Sequence, residues 1–220
     1  MTKKTFWENP YLTEIETTVT DVNDTEVMVD QTIFYAFSGG QESDYGTIDA
    51  YPVIQARKDG TEIIYTIEDG HCLQPGDRVR MTIDWERRYR LMRLHFAAEV
   101  ILELAYHNLE GIEKIGAHIA QDKARLDFTW VENISKSFPK LEEAARRIIQ
   151  ANQEIESAFS DEEAERRYWK VEGFGCVSCG GTHLRRTGEI GEITLKRNNI
   201  GKGKERIEIY LNDNGGKEIG

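Results

Sequence analysis

Across residues 13–85, apolar and polar side chains alternate with a period of two, interrupted by turn residues, which predicts half-buried β-strands. Ile15, Thr17 and Val19 alternate up to Asn23-Asp24, and Val27, Val29 and Ile33 resume the pattern. Lys58-Asp59-Gly60 lies between apolar runs at 53–56 and 63–67 and predicts a hairpin turn, while Pro75-Gly76-Asp77 precedes a last strand over 79–83. At Asp84 the period changes. Asp84 is a suitable N-cap, Glu86 complements the positive helix end, and Leu91, Leu94, Ala98, Ile101, Leu102 and Ala105 recur at helical spacing, so a helix is expected to about His107.

Beyond Gly111 the alternation returns, with Ala124, Leu126, Phe128 and Trp130 on one side of a strand. Pro139 opens a second helix through Glu142 and Ile149, and a third, charged helix is expected over 161–169. A glycine-rich loop over 173–181 and two strands over 190–197 and 206–211 close the chain. The pattern predicts an α+β protein. A small β-barrel-like domain over residues 1–85 is followed by a domain over 86–220 with helices packed on an antiparallel sheet.

With 220 residues, 39% hydrophobic and 30% charged, the chain can bury an ordinary core. No apolar run approaches the ~20 residues that cross a bilayer, and residues 1–10 lack the apolar core of a signal peptide, so a cytoplasmic protein is expected. Three cysteines are too few, and odd in number, for a disulfide framework. The net charge of −11 is uneven: residues 1–85 carry 6 basic against 16 acidic side chains, whereas 176–206 carry 7 against 3. An acidic chain with a locally basic end is compatible with a phosphate-rich partner.

The first helix places His95 and Glu99 four positions apart, so both side chains can address one ion. Downstream, Cys176, Cys179 and His183 lie in a loop whose Gly180 and Gly181 leave room for a thiolate and an imidazole to curl around zinc. An inert or redox-active cysteine pair is the alternative, but Cys and His together at these spacings favour zinc. His71 and His107 carry no special expectation. The segment Phe34-Tyr35-Ala36-Phe37-Ser38-Gly39-Gly40-Gln41 reads first as a tight turn and second as a close backbone approach to a ligand.

That segment resembles the AlaX proteins, free-standing relatives of the alanyl-tRNA synthetase editing domain, and so do Arg93-Leu94-His95, the stretch from Asp122 to Phe128, Cys179-Gly180-Gly181-Thr182-His183, Thr187-Gly188-Glu189-Ile190-Gly191 and Gly201-Lys202-Gly203. The resemblance runs in order along nearly the whole chain and suggests the medium-length form. It implies a hydrolase that deacylates tRNA for alanine mischarged with serine or glycine, an editing sieve for amino acids that an activation pocket cannot reject. It implies one zinc ion per chain on His95, Glu99, Cys179 and His183, with Glu99 standing where relatives have a second histidine. Cys176 as the fourth ligand is the other arrangement. It further implies catalytic roles for His95, Glu99 and the backbone amides of Gly180 and Gly181. Substrate contacts are expected from Thr32, Ser38, Gly39, Gly40, Gln41, Asp44 and His118, in a cleft between the domains. Contacts to tRNA are expected from Arg87, Arg88, Arg90, Arg93, Arg185, Lys202 and Lys204, with Arg186, Lys196, Arg197 and Arg206 nearby. A catalytically silent, zinc-stapled tRNA-binding protein is the rival reading.

Overall fold

The computed structural model describes residues 2–212. Residues 213–220, expected at the end of the second domain, lie outside the described residues. The chain divides into two compact units, Met1–Arg90 and Leu91–Gly220, and the architecture is α+β.

The first unit contains β1 (Lys3–Lys4), α1 (Thr5–Glu8), β2 (Glu14–Asn23), β3 (Glu26–Val29), β4 (Gln31–Thr32), β5 (Gly46–Ile48), β6 (Tyr51–Pro52), β7 (Gln55–Asp59), β8 (Glu62–Thr66) and β9 (Arg78–Ile83). Seven of these strands form one sheet in the order β6-β5-β9-β2-β3-β8-β7. Its outermost strands, β6 and β7, are separated by two residues only. Val53 N–H donates to Gly46 on one side (3.0 Å) and Ile54 N–H to Thr66 on the other (2.8 Å). A sheet whose two edges are joined by Val53-Ile54 has to curl, which produces the expected barrel-like form. The turns fall where the sequence places them: Asp24 and Gly60 take φ of 56° and 59° between paired strands. The core of this unit includes Val19, Val27, Ile33, Ile48, Tyr65 and Met81.

α2 (Trp85–Asn108) begins in the first unit and ends in the second. Asp84 caps it as expected, accepting from the Arg87 N–H through Oδ1 (3.1 Å). Its burial is wider than the expected stripe. Met92, Phe96, Ala97 and Val100 are buried as fully as Leu91 and Leu94, so residues 91–105 form a core helix rather than a one-faced surface helix.

The second unit continues with β10 (Glu113–Ile119), β11 (Ala124–Thr129), a 3₁₀ turn (Ile134–Ser137), α3 (Phe138–Ala151), β12 (Glu156–Asp161), β13 (Arg166–Val171), β14 (Gly175–Ser178), a second 3₁₀ turn (Thr187–Ile190), β15 (Ile193–Gly201) and β16 (Lys204–Leu211). An antiparallel sheet runs β10-β11-β16-β15, and a three-stranded sheet runs β12-β13-β14. Ala124, Leu126 and Phe128 face the core from β11, as the alternation predicts. α3 carries Pro139 in its first turn and ends on Asn152 in the left-handed region, φ 47°.

The expected third helix over 161–169 is absent. That stretch is the β12–β13 hairpin, closed by a turn in which Ala164 N–H donates to Asp161 Oδ1 (3.0 Å) and Glu165 takes φ 51°. Arg167, Trp169 and Val171 are buried in alternation, a strand period that the charged run hides.

Candidate metal centre

Four side chains converge in the second unit. His95 and Glu99, one turn apart on α2, stand with His95 Nε2 3.6 Å from Glu99 Oε1. The β13–β14 hairpin delivers the sulfur, since Cys179 N–H donates to the Arg167 carbonyl (2.9 Å) and so extends the hairpin pairing by one residue. Cys179 Sγ lies 3.2 Å from His95 Nε2 and 3.7 Å from Glu99 Oε1. His183 completes the group: one ligand atom from each of His95, Cys179 and His183 lies within 4.8 Å of the others.

These separations suit a metal ion. Bonds of ~2.0–2.3 Å at tetrahedral angles set donor atoms about 3.3–3.8 Å apart, and the distances of 3.2, 3.6 and 3.7 Å approximate such edges. His183 adds a second sign. Its Nδ1 is held by Ser157 Oγ at 2.9 Å, while its Nε2 is buried without a hydrogen-bond partner. A buried ring nitrogen left open beside a thiol and a second imidazole is what a metal ligand offers, and Ser157 is the outer contact that orients the ring. Gly181 gives a third sign: a Cβ there would lie 2.2 Å from His95 Cε1, so only glycine lets the loop close on the imidazole.

Burial dominates the electrostatics. It pushes the Cys179 thiol up to about 12, with the Glu99 charge adding to the shift and the Gly181 N–H opposing it. Burial lowers His95, with Glu99 opposing and Lys114 assisting, and it holds His183 well below 6.5, assisted by His95 and Arg167. Neutral imidazoles are the metal-binding form, whereas the thiol has to lose its proton, so loading a cation would release one.

Several expected site residues take other places. Cys176 is exposed on β14 and is not part of the cluster, and Glu99 stands beside it, with Oε1 near His95 Nε2 and Cys179 Sγ. The Gly181 N–H, one of the two amides expected to steady an oxyanion, is directed at the Cys179 sulfur instead. His118 is half-buried on β10 opposite Arg125, while Lys114 of the same strand is the residue whose charge reaches His95 and Cys179. Ser157, Arg167 and Trp169 adjoin the cluster and carry no sequence signal of it, because the β12–β13 hairpin that brings them there reads as helix.

In the first unit, Ser38-Gly39-Gly40-Gln41 forms a two-residue turn. Gly39 and Gly40 take φ of 59° and 86°, and Gln41 N–H donates to the Ser38 carbonyl (3.0 Å). Gln41, Asp44 and Thr32 are buried. Thr32 is bonded to the Tyr65 hydroxyl at 2.6 Å, and Asp44 accepts from Tyr35 N–H at 2.7 Å and from the Arg88 guanidinium at 2.8 Å. Both side chains are thus engaged by neighbours within the first unit.

Arg88 is the corresponding correction among the expected tRNA contacts. Fully buried, it donates to Asp44 and to the Pro10 and Ile33 carbonyls, so its charge is neutralised inside the first unit. Arg87 is also buried, bonded to Glu42 (2.8 Å) and the Ser43 carbonyl (3.0 Å) and stacked 3.8 Å from the Tyr45 ring centre. Arg90 and Arg93 are half-buried, with Arg93 Nε donating to the Ile190 carbonyl (3.0 Å), and Arg185, Lys202 and Lys204 are exposed. Arg186, Lys196 and Arg197 are exposed too, Arg197 being paired with Glu205, while half-buried Arg206 holds Asp127 at 2.6 Å.

The molecule is thus an α+β protein in which one core helix and one glycine-rich loop assemble a His-Cys-His group with Glu99 beside it. Residues 3–87 match the family described as tRNA synthetases class II (A), and residues 171–208 match the threonyl and alanyl tRNA synthetase second additional domain. The chain is 33% identical over 219 residues to alanyl-tRNA editing protein AlaX-M of Pyrococcus horikoshii, covering 96% of this chain and 98% of that protein. It is 33% identical over 246 residues to AlaX-M of Methanosarcina acetivorans, covering 97% of this chain and all of the relative. It is also 35% identical over 232 residues to the alanine–tRNA ligase of Staphylothermus marinus, but spans only 26% of that ligase. The chain belongs to the AlaX-M family of alanyl-tRNA editing proteins. Among the described residues no helix is long and apolar enough to cross a membrane.

Proposed function

We propose that this chain is an aminoacyl-tRNA deacylase, hydrolysing the ester that joins serine or glycine to tRNA for alanine, with one zinc ion held by His95, Glu99, Cys179 and His183. The observation that carries the reading is the meeting of a thiol and two imidazoles within 4.8 Å of one another, with the Glu99 carboxylate 3.6 Å from one imidazole and 3.7 Å from the thiol. The family membership supplies the substrate class.

Bound there, zinc supplies Lewis acidity beside the scissile ester. The protein does the rest. Ser157 fixes the His183 ring, and the Gly181 N–H stabilises the Cys179 thiolate. Arg90, Arg93, Arg185, Lys202 and Lys204 supply phosphate contacts, which position tRNA without reading its sequence. Such an enzyme works in the cytoplasm, where mischarged tRNA arises.

The test is a deacylation assay on tRNA for alanine carrying serine or glycine, with the native protein, the chelated protein and Glu99→Ala. Release of the amino acid by the native protein, reduced by about two orders of magnitude or more in the other two, is expected. An ester lifetime unchanged by the native protein would show a binder and overturn the assignment; full activity after complete metal removal would overturn the role of zinc.

A further inference from the structure

We propose that Trp169 is a positioning residue that holds Glu99 as a one-oxygen donor to the cluster. The inference rests on reading the cluster as a metal centre.

A glutamate on a helix has rotatable bonds enough to swing its carboxylate away from a neighbouring ion, or to offer it through either or both oxygens. Here the two oxygens are separated in role. Oε2 accepts from the Trp169 indole N–H at 3.0 Å, and Oε1 faces His95 Nε2 at 3.6 Å and Cys179 Sγ at 3.7 Å. The indole cannot follow the carboxylate if it moves. Trp169 is fully buried, with Phe96 edge-on at 5.2 Å and Phe174 stacked at 6.1 Å. Gly175 opposite adds to the close fit, since a Cβ there would lie 3.2 Å from the ring, tighter than ordinary contact.

The backbone ties this clamp to the sulfur donor. Trp169 pairs with Val177 in the β13–β14 hairpin, and Arg167, two residues before it on β13, receives the Cys179 N–H. One hairpin therefore sets both the position of Sγ and the orientation of the carboxylate that shares its ion. A buried indole N–H also needs an acceptor, and Glu99 is the acceptor given to it. Trp169 does for Glu99 what Ser157 does for His183.

The decisive variant is Trp169→Phe, which removes the donor and keeps an aromatic ring between Phe96 and Phe174. Zinc affinity, measured by competition with a chromophoric chelator, is expected to fall about 10- to 100-fold, and the absorption spectrum of the cobalt-substituted protein is expected to change. In a Glu99→Ala background the same substitution should change zinc affinity less than twofold. An equal loss in both backgrounds would mark Trp169 as a packing residue only and overturn the proposal, as would full affinity and an unchanged cobalt spectrum in the single variant. A native protein that binds no zinc would overturn the metal reading and this proposal with it. The clamp is checked separately by the Trp169 indole N–H resonance, which in native protein should exchange slowly with solvent and should lose that protection in Glu99→Ala; unchanged protection would refute the bond to Glu99 even where zinc binds.

Discussion

Gly181→Ala is the sharpest single test of the cluster, because the structure sets the size of the disturbance. An added Cβ would sit 2.2 Å from His95 Cε1, 2.8 Å from Nε2 and 2.9 Å from Nδ1, where ordinary contact begins at 3.4 Å. About 1.2 Å of separation has to be found between the loop and the ring. His95 is buried on a core helix and cannot rotate into solvent, so either the imidazole or the Cys179-to-His183 loop shifts. Metal–ligand distances tolerate roughly ±0.2 Å, so a shift several times larger removes at least one donor. The expected result is a zinc affinity at least about 100-fold weaker, with deacylation reduced alongside it. Overpacking of this kind costs about 1–3 kcal/mol, so the fold survives. Gly180→Ala is the control: no atom lies within 4 Å of its Cβ, its φ is not in the left-handed region, and its zinc affinity should stay within about twofold. Chelator competition on both variants, with circular dichroism to verify folding, decides the matter. Native zinc affinity in Gly181→Ala would refute the geometry of the site.

The same reasoning gives further outcomes. Asp44→Ala leaves the buried Arg88 guanidinium without its carboxylate and should lower stability by about 3–5 kcal/mol in urea denaturation; a stability change under 1 kcal/mol would contradict the structural role assigned to the pair. Gly46→Ala would bring a Cβ to 2.0 Å from the Thr82 carbonyl oxygen, a backbone atom that cannot move aside, and should unfold the first unit at lower urea than any other single glycine change there. Glu205 is held below the ordinary 4.5 by its hydrogen bonds from Arg197, and Glu208 below it by its hydrogen bond from Lys123. Both contribute stability that is present above pH 4.5 and is lost as pH falls through their lowered folded values, so the acid limb of a stability–pH curve should flatten in a Glu205→Gln, Glu208→Gln double variant.

The meeting of His95, Glu99, Cys179 and His183 was legible in the sequence because their signals are local. His95 and Glu99 need only one helical turn to share a face, and Cys179 with His183 needs only a loop whose glycines let it curl. The contacts that orient those donors were not, because each is made by residues far apart in sequence. The run from Asp161 to Arg167 is dense in charge and has Ala164 as its one apolar residue, so its local pattern suits a helix; only pairing with β12 and β14 shows that Arg167, Trp169 and Val171 alternate inward. Once that segment is read as helix, Ser157, Arg167 and Trp169 cannot be placed beside the metal donors at all. Arg88 fails in the opposite direction. An arginine among Arg87, Arg90 and Arg93 reads as part of a solvated basic face, and nothing local reveals that Asp44, 44 residues earlier and on the far side of the glycine turn, buries it. The two errors share a cause: a charged side chain declares its chemistry in the sequence, but whether it meets solvent, an ion or a buried partner is decided by contacts between distant segments, of which strand register is one. Loss of the Trp169-to-Glu99 bond should therefore be repairable only by a donor on β13 in the same register, and not by one placed on the adjacent outward position of Tyr168, which is bonded to Glu156 at 2.6 Å.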